Sequence, residues 1–401
     1  MAKEYYAPSR VLFGNGVENQ AGKLLKEFGA TKVLVHFGTG SVKKSGLLDR
    51  VEEALKAEGL AFVELGGVIP NPRLSLVNEG IELCKKEGVD FILAVGGGSV
   101  IDSAKAIGYG VFGGGDVWDF YCGKRVIEGT VPVGVILTLS ATGSEMSDSS
   151  VITNDLSEIT YKRGVSSRFG RVKFSLLAPN LTYTVSPYQT GSGSVDIIMH
   201  TFERFFQQGY ALDLTDEVSF AVIKTVMKYA PIAIETPDDY DARANLMWAS
   251  TLSHNGLTDV GSPTRGDWAC HQIEHELSAE YDVAHGAGLT AVWGSWARFV
   301  LDTNPARFAK LGKGLFGFAW DENTDLATTK RVALDTIEAM EEFFVSIGMP
   351  IGLKSLGLDF DDAACMNAAL GVTFQDTRKV GNFVELTSKE ICEIYKMAKD
   401  K

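Results

Sequence analysis

The sequence predicts an α/β N-terminal domain built on a parallel sheet over residues 1–185, followed by an all-helical domain over residues 186–401. Three observations carry this. Before residue 185, short β-rich apolar runs alternate with helical periodicities, which is the pattern of β-α-β units. Glycines gather at the ends of those apolar runs. Beyond residue 185 the chain changes to long helical stretches punctuated by Pro and Gly.

The elements follow in order. KVLVHF (32–37) reads as a strand, LLDRVEEALKAEG as a helix, AFVEL as a strand, and the stretch ending in CKKEG as a helix. FILAVGGG and VGVILTL are two further strands. The second half supplies EVSFAVIKTVMKYAP, RANLMWASTLSHNG and TKRVALDTIEAMEEFFVSIG as helices. Ser186-Pro187 places an N-cap before a proline at the first helical position, which sets the start of the helical domain.

Composition narrows the function classes. A chain of 401 residues with 45% hydrophobic and 22% charged residues has room for two cores of ordinary size. A net charge of −13 argues against a nucleic-acid surface or an anionic membrane, both of which select for clustered Lys and Arg. The opening MAKEYYAPSRVLFGNG has no apolar core of a leader, and no run of about eighteen apolar residues occurs, so a cytoplasmic protein is expected. Cys84, Cys122, Cys270, Cys365 and Cys392 are scattered and form no C-x-x-C pair, so they read as small buried hydrophobes.

Two loops in the first half look built for phosphate. In FILAVGGGSVIDSAKAIGYG a strand runs through Gly96-Gly97-Gly98-Ser99 directly into a helix, so bare amides and the positive end of a helix dipole meet at one point. A tight strand-to-helix turn without a ligand is the plainer reading of the same residues. A second loop, LTLSATGSE (137–145), is rich in hydroxyls, and two such loops on one sheet suit a dinucleotide in a Rossmann-like site. After KVLVHF comes Gly38-Thr39-Gly40-Ser41-Val42-Lys43-Lys44, with no acid before Asp49 to bind a ribose 2′-hydroxyl. Hydroxyls and two cations there favour the 2′-phosphate of NADP(H), unless the lysines only open a solvated helix.

The chain has six histidines: His36, His200, His254, His271, His275 and His285. Asp196 lies four residues before His200, on the same helix face, where a carboxylate and an imidazole can share a cation. Such a donor set suits Zn²⁺ or Fe²⁺ rather than Ca²⁺ or Mg²⁺. His271-Gln272-Ile273-Glu274-His275 also fits the H-x-x-E-H pattern of a class of zinc peptidases. Each pair taken alone is as consistent with coincidence on a helix. Phe202, Trp268 and Trp293 could shape a small apolar pocket, although aromatics at helical spacing are more often core.

These motifs together resemble the iron-containing, group III alcohol dehydrogenases, and within them the NADPH-dependent butanol dehydrogenase-like branch. The likeness runs through VLFGNG, GTGSVKKSGLLDRV, Asn71-Pro72, GGGSVIDSAKAI, TLSATGSE, VITN, APNLTYTVSP, VDIIMHTFE, NGLTDVG and GDWACHQIEHELSAEYDVAHGAGL. The resemblance implies a dehydroquinate synthase-like fold and a homodimer. It also implies hydride transfer between nicotinamide C4 and a small aldehyde or primary alcohol such as butanal or butanol. It places the metal ligands at Asp196, His200, His271 and His285, with Fe²⁺ or Zn²⁺ as the ion. His275 would then sit near the nicotinamide as a proton donor, and Glu274 would have no base role.

Cofactor contacts carry over to Gly38, Thr39, Gly40, Ser41, Lys44, Asn71, Gly97, Gly98, Ser99, Asp102, Thr138, Leu139, Thr142, Ser144 and Lys162. Ser140 stands where this branch often has Pro, and Ala178 where it usually has Asp. The competing readings are a glycerol dehydrogenase-like or dehydroquinate synthase-like relative, a zinc metallopeptidase, and a non-catalytic nucleotide sensor. Residues 262–290 offer only Arg265 as a strong cation, which disfavours a phosphorylated acid as substrate.

Overall fold

The computed structural model describes residues 4–209 and 212–401. The chain divides into two compact units, one of residues 6–185 with 238–255, the other of residues 186–237 and 256–401 with residues 4 and 5.

The first unit contains β1 (Arg10–Phe13), α1 (Ala21–Glu27), β2 (Lys32–Gly38), α2 (Ser41–Lys44), α3 (Leu47–Ala57), β3 (Ala61–Val68), α4 (Leu74–Glu87), β4 (Phe91–Gly96), α5 (Gly98–Gly113), α6 (Trp118–Tyr121), β5 (Val133–Leu137), β6 (Ser149–Asn154), β7 (Tyr161–Ser166) and β8 (Phe174–Leu177). Six strands form a parallel sheet in the order β1-β8-β5-β4-β2-β3, and β6 and β7 form a separate antiparallel ribbon. Parallel strands are covered on both faces, which is why β2, β4 and β5 read as nearly unbroken apolar runs. Their parity sorts the two cores. Val33, Val35, Phe91, Leu93, Val95 and Ile136 pack with α1 and α3 residues such as Leu25, Val51 and Leu55. Leu34, Ile92, Ala94, Val135 and Leu137 pack with α4 and α5 residues such as Val77, Ile81, Ile101 and Ile107. Each fully buried aliphatic side chain contributes about 1.5–3 kcal/mol.

Register decides where the loops open. Phe37 pairs with Val95, and Gly96 pairs with Leu137, so the chain leaves β2, β4 and β5 at one level along one edge of the sheet. The crossover after β2 leads outward to β3, whereas that after β4 leads the other way to β5. Such a switch point leaves a crevice at the carboxyl ends of the strands, between the β2 and β4 loops.

The second unit contains α7 (Pro187–Phe205), α8 (Asp213–Glu235), α10 (Ala269–Tyr281), α11 (His285–Val300), α12 (Pro305–Phe316), α13 (Leu326–Ser346), α14 (Asp362–Val372) and α15 (Ser388–Ala398). Ser186 Oγ accepts the Gln189 N–H at 3.2 Å and Pro187 opens the helix, as the sequence predicts. An aromatic core of Phe202, Phe206, Trp293, Trp296 and Phe308 holds α7, α11 and α12 together, with Phe202 and Trp293 stacked at 5.3 Å. Those two aromatics are therefore core. Four cysteines are buried and Cys122 is partly exposed, all of them free thiols. No helix among the described residues is long and apolar enough to cross a membrane.

One helix departs from the expected division at residue 186. The helix α9 (Tyr240–Ser253) belongs to the α/β unit. Met247 is fully buried in the apolar cluster of α4 and α5, and Thr251 Oγ1 donates to Glu145 Oε1 at 2.7 Å. Helical periodicity in α9 was legible, but its packing partner was not.

Candidate active site

Three helices of the second unit converge on one carboxylate oxygen. On α7, Asp196 and His200 are one turn apart and buried at 2% and 4% exposure. From Asp196 Oδ1 the distances are 3.4 Å to His200 Nδ1, 3.7 Å to His271 Nε2 on α10 and 3.7 Å to His285 Nε2 at the start of α11. These are too long for hydrogen bonds. Among the described residues Asp196 Oδ1 and His271 Nε2 are buried without a hydrogen-bond partner. One carboxylate oxygen thus has an imidazole nitrogen from each of three histidines within 3.7 Å, and Asp196, His200 and His271 offer donor atoms that all lie within 4.8 Å of one another. The donor set and spacing therefore fit a small divalent cation.

Local chemistry brings the helices to this point. Gly286 N–H donates to Ser192 Oγ at 3.1 Å, and a Cβ on Gly286 would fall on the Ser192 carbonyl, so only glycine lets α11 approach α7 this closely. The first turn of α10 is capped from outside its own sequence. Glu203 accepts the Trp268 N–H at 2.5 Å and the His271 N–H at 3.0 Å. Asp267 accepts the Ala269 N–H at 3.3 Å and those of Asn382 and Phe383 at 2.6 Å. Trp268, with φ of 65°, lies with its ring 5.2 Å from that of His271. Burial lowers the His271 imidazole, but the carboxylates of Asp196 and Glu203 outweigh it and raise the group to about 9, so an incoming cation must displace a proton there.

The H-x-x-E-H stretch does not assemble as a peptidase site. His271 groups with Asp196 and His200, whereas His275 groups with Glu274 and His285. Glu274 is fully buried beside His285 Nδ1, and Ser278 Oγ donates to its other oxygen. It is therefore not presented as a free base. The His275 ring lies 5.8 Å from that of His285.

The predicted cofactor residues lie in the α/β unit, most of them on loops at the open edge of the sheet. Gly38, Thr39, Gly40, Ser41 and Lys44 follow β2, Asn71 follows β3, and Gly97, Gly98, Ser99 and Asp102 lead into and along α5. Thr138, Leu139, Thr142 and Ser144 follow β5, and Lys162 stands on β7. The β4 and β5 loops touch: a Cβ on Gly97 would meet Leu139 at 3.0 Å, and one on Gly98 would meet the Thr142 Cγ2 at 2.6 Å. Asp102 is committed to the protein itself, accepting Ser144 Oγ–H at 2.6 Å and Val151 N–H at 2.9 Å. Burial raises its carboxyl despite the nearby Lys105 ammonium. Lys43, one of the two cations read as phosphate contacts, lies 3.8 Å from Glu64 Oε2 and 4.9 Å from the Phe37 ring centre.

Sequence reasoning missed Glu203, Glu145 and the work of His254 and Glu274. His254 Nδ1 donates to the Thr142 carbonyl at 2.9 Å and thereby shapes the loop after β5. Glu203 had a usable signal, since Asp196, His200 and Glu203 stand at i, i+4 and i+7 on one helix face.

Comparison with known proteins agrees over the whole chain. The family model described as iron-containing alcohol dehydrogenase matches residues 8–179, and its C-terminal counterpart matches residues 190–399. The chain is 40% identical to NADH-dependent butanol dehydrogenase A of Clostridium acetobutylicum, covering 98% of each protein. It is 34% identical to the NADPH-dependent aldehyde reductase YqhD of Escherichia coli, covering 88% of this chain and 89% of that one. The crystal structure of NADH-dependent butanol dehydrogenase A from Thermotoga maritima superposes with a TM-score of 0.93 at 39% identity, covering 99% and 98% of the two chains. Matched by these family models over both halves and 40% identical to a relative over nearly its full length, the chain belongs to the iron-containing alcohol dehydrogenase family.

Proposed function

We propose that the protein is an NADP(H)-linked, metal-dependent alcohol dehydrogenase that reduces small aldehydes such as butanal and runs in reverse on the matching primary alcohols. The observation that carries this reading is the meeting of three imidazoles on Asp196 Oδ1. Asp196, His200, His271 and His285 hold Fe²⁺ or Zn²⁺, of which a site of this kind binds Zn²⁺ more tightly in the usual order. When bound, the cation supplies Lewis-acid polarisation of a carbonyl and the reduced nicotinamide supplies hydride from C4.

The chain's own residues do the rest. Backbone amides at Gly97 and Gly98, with the start of α5, bind the pyrophosphate. Ser99 and Asp102 line the pyrophosphate with them, Thr138, Leu139, Thr142 and Ser144 flank the phosphates and nicotinamide, Lys162 reaches the adenosine side, Asn71 is a further cofactor contact, and Gly38, Thr39, Gly40, Ser41 and Lys44 surround the 2′-phosphate. His275 hands a proton from its ring N–H to the product oxygen. We read the enzyme as a cytoplasmic homodimer, which size-exclusion with light scattering tests.

A second reading, NADH as the working cofactor, draws support from Glu64, which puts an acid 3.8 Å from one of the two cations, and from the names of several relatives. Oxidation of NADPH and NADH with butanal, each followed by absorbance on Zn²⁺- and Fe²⁺-loaded protein, decides between them. A kcat/KM at least tenfold higher with NADPH supports the first reading, and the reverse ratio establishes the second.

A further inference from the structure

We infer that Glu203 and Glu274 are positioning residues that brace the metal ligands in a relay, Glu203 of α7 holding His271 of α10 and Glu274 of α10 holding His285 of α11. The inference rests on the ligand set proposed above and concerns side chains that set does not include.

An imidazole can offer the lone pair of Nε2 to a cation only when its proton sits on Nδ1, and a fixed acceptor at Nδ1 determines both the tautomer and the ring plane. Both histidines have a carboxylate oxygen beside Nδ1, hydrogen-bonded in the case of His271 and in close ion-pair contact in the case of His285. His271 Nδ1 lies 3.0 Å from Glu203 Oε1, and His285 Nδ1 lies against Glu274 Oε2. In each case the opposite nitrogen, Nε2, is the one 3.7 Å from Asp196 Oδ1. The carboxylates are themselves held. Glu203 is 2% exposed and pinned by the Trp268 and His271 N–H groups, and Glu274 is fully buried with Ser278 Oγ donating to it.

The pattern follows the helices. Glu203 stands three residues after His200, and Glu274 three residues after His271, so each glutamate shares a helix face with a ligand and reaches across to the ligand on the next helix. Two buried carboxylates behind a cation also raise the basicity of the imidazoles they hold. A glutamate kept only for packing or capping has no reason to meet the Nδ1 of a ligand in both places.

The test is Zn²⁺ affinity by chelator competition on full-length wild type and on Glu203→Gln, Glu203→Ala, Glu274→Gln and Glu274→Ala. Circular dichroism and cofactor binding by fluorescence establish that each variant is folded. The Ala variants are expected to bind Zn²⁺ about 10- to 100-fold more weakly. The Gln variants, which keep an acceptor oxygen at Nδ1, are expected to recover most of that loss. In Co²⁺-loaded protein the visible spectrum shifts in the Ala variants and stays near wild type in the Gln variants. Glu203→Ala also removes the cap of α10, so if it fails to fold the decision falls to Glu274→Ala. Wild-type affinity in a folded Glu274→Ala protein overturns the inference while leaving the ligand set standing. Failure of the wild type itself to bind Zn²⁺ overturns the ligand set and the inference with it.

Discussion

Gly286→Ala tests how the fold sets the proposed metal site. The added Cβ falls on the Ser192 carbonyl group, 2.7 Å from its carbon, whereas ordinary contacts begin at 3.4 Å. The neighbour is backbone inside α7, four residues before Asp196, so it cannot swing aside as a side chain would. Relief requires α11 to retreat from α7 by at least about 0.7 Å, and overpacking of this kind costs about 1–3 kcal/mol. His285 is the residue before Gly286, so that retreat is several times the ~0.2 Å tolerance of a metal–ligand distance. If the cost appears in metal binding, Zn²⁺ affinity falls by roughly 5- to 150-fold. Chelator competition measures the affinity and a thermal melt of the metal-free protein measures stability. Gly312→Ala is the control: its Cβ crowds Thr336 and Phe318, away from the metal donors, so it should lower the melting temperature and leave metal affinity unchanged. A Gly286→Ala protein with wild-type metal affinity would refute the reasoning.

Further outcomes follow from individual contacts. Gly98→Ala drives a methyl into Thr142, and we expect roughly tenfold weaker NADPH binding with unchanged Zn²⁺ affinity, read by cofactor fluorescence and chelator competition. His36 is fully buried, donating from Nδ1 to the Leu65 carbonyl and accepting Ser103 Oγ–H at Nε2, both at 2.8 Å, and burial lowers it to about 4 despite the carbonyl bond. Because the unfolded chain takes up that proton near pH 6.5 and the folded one only near 4, His36 stabilises above 6.5 and the benefit fades as pH falls. Between pH 8 and pH 5 the loss is about 2 kcal/mol, or roughly 4–8 °C of melting temperature. Melts of His36→Gln should lack this slope, and parallel pH curves for the two proteins would dismiss it. Arg307 donates to both Asp216 oxygens at 2.6 Å, so Arg307→Met leaves a buried carboxylate whose one remaining cation among the described residues is Lys310, at 2.7 Å. We expect a loss of about 3 kcal/mol, roughly 6–12 °C by calorimetry, and a shift under about 2 °C would argue that the pair contributes little.

Much of this molecule was legible in its sequence because the signals are local. Continuous apolar runs ending in glycine gave β2, β4 and β5 with their loops, and Ser186-Pro187 gave the start of α7. The four-residue spacing of Asp196 and His200 puts two candidate metal donors on one helix face. What stayed hidden depends on contacts distant in sequence. Nothing local tells that α9 packs with the α/β unit through Met247 and Thr251, or that His254 grips Thr142, 112 residues away. Lys43 shows the opposite hazard: two adjacent lysines read as a phosphate site, yet one lies beside Glu64, which enters from the neighbouring strand.

The most direct test of the central claim is NADPH-dependent reduction of butanal by His271→Ala beside wild type, each assayed after metal loading and after chelator treatment, with NADPH binding measured separately. The account predicts that wild type turns over only when loaded, and that the variant binds NADPH but neither retains Zn²⁺ nor consumes the cofactor. Turnover by the metal-free variant would contradict it.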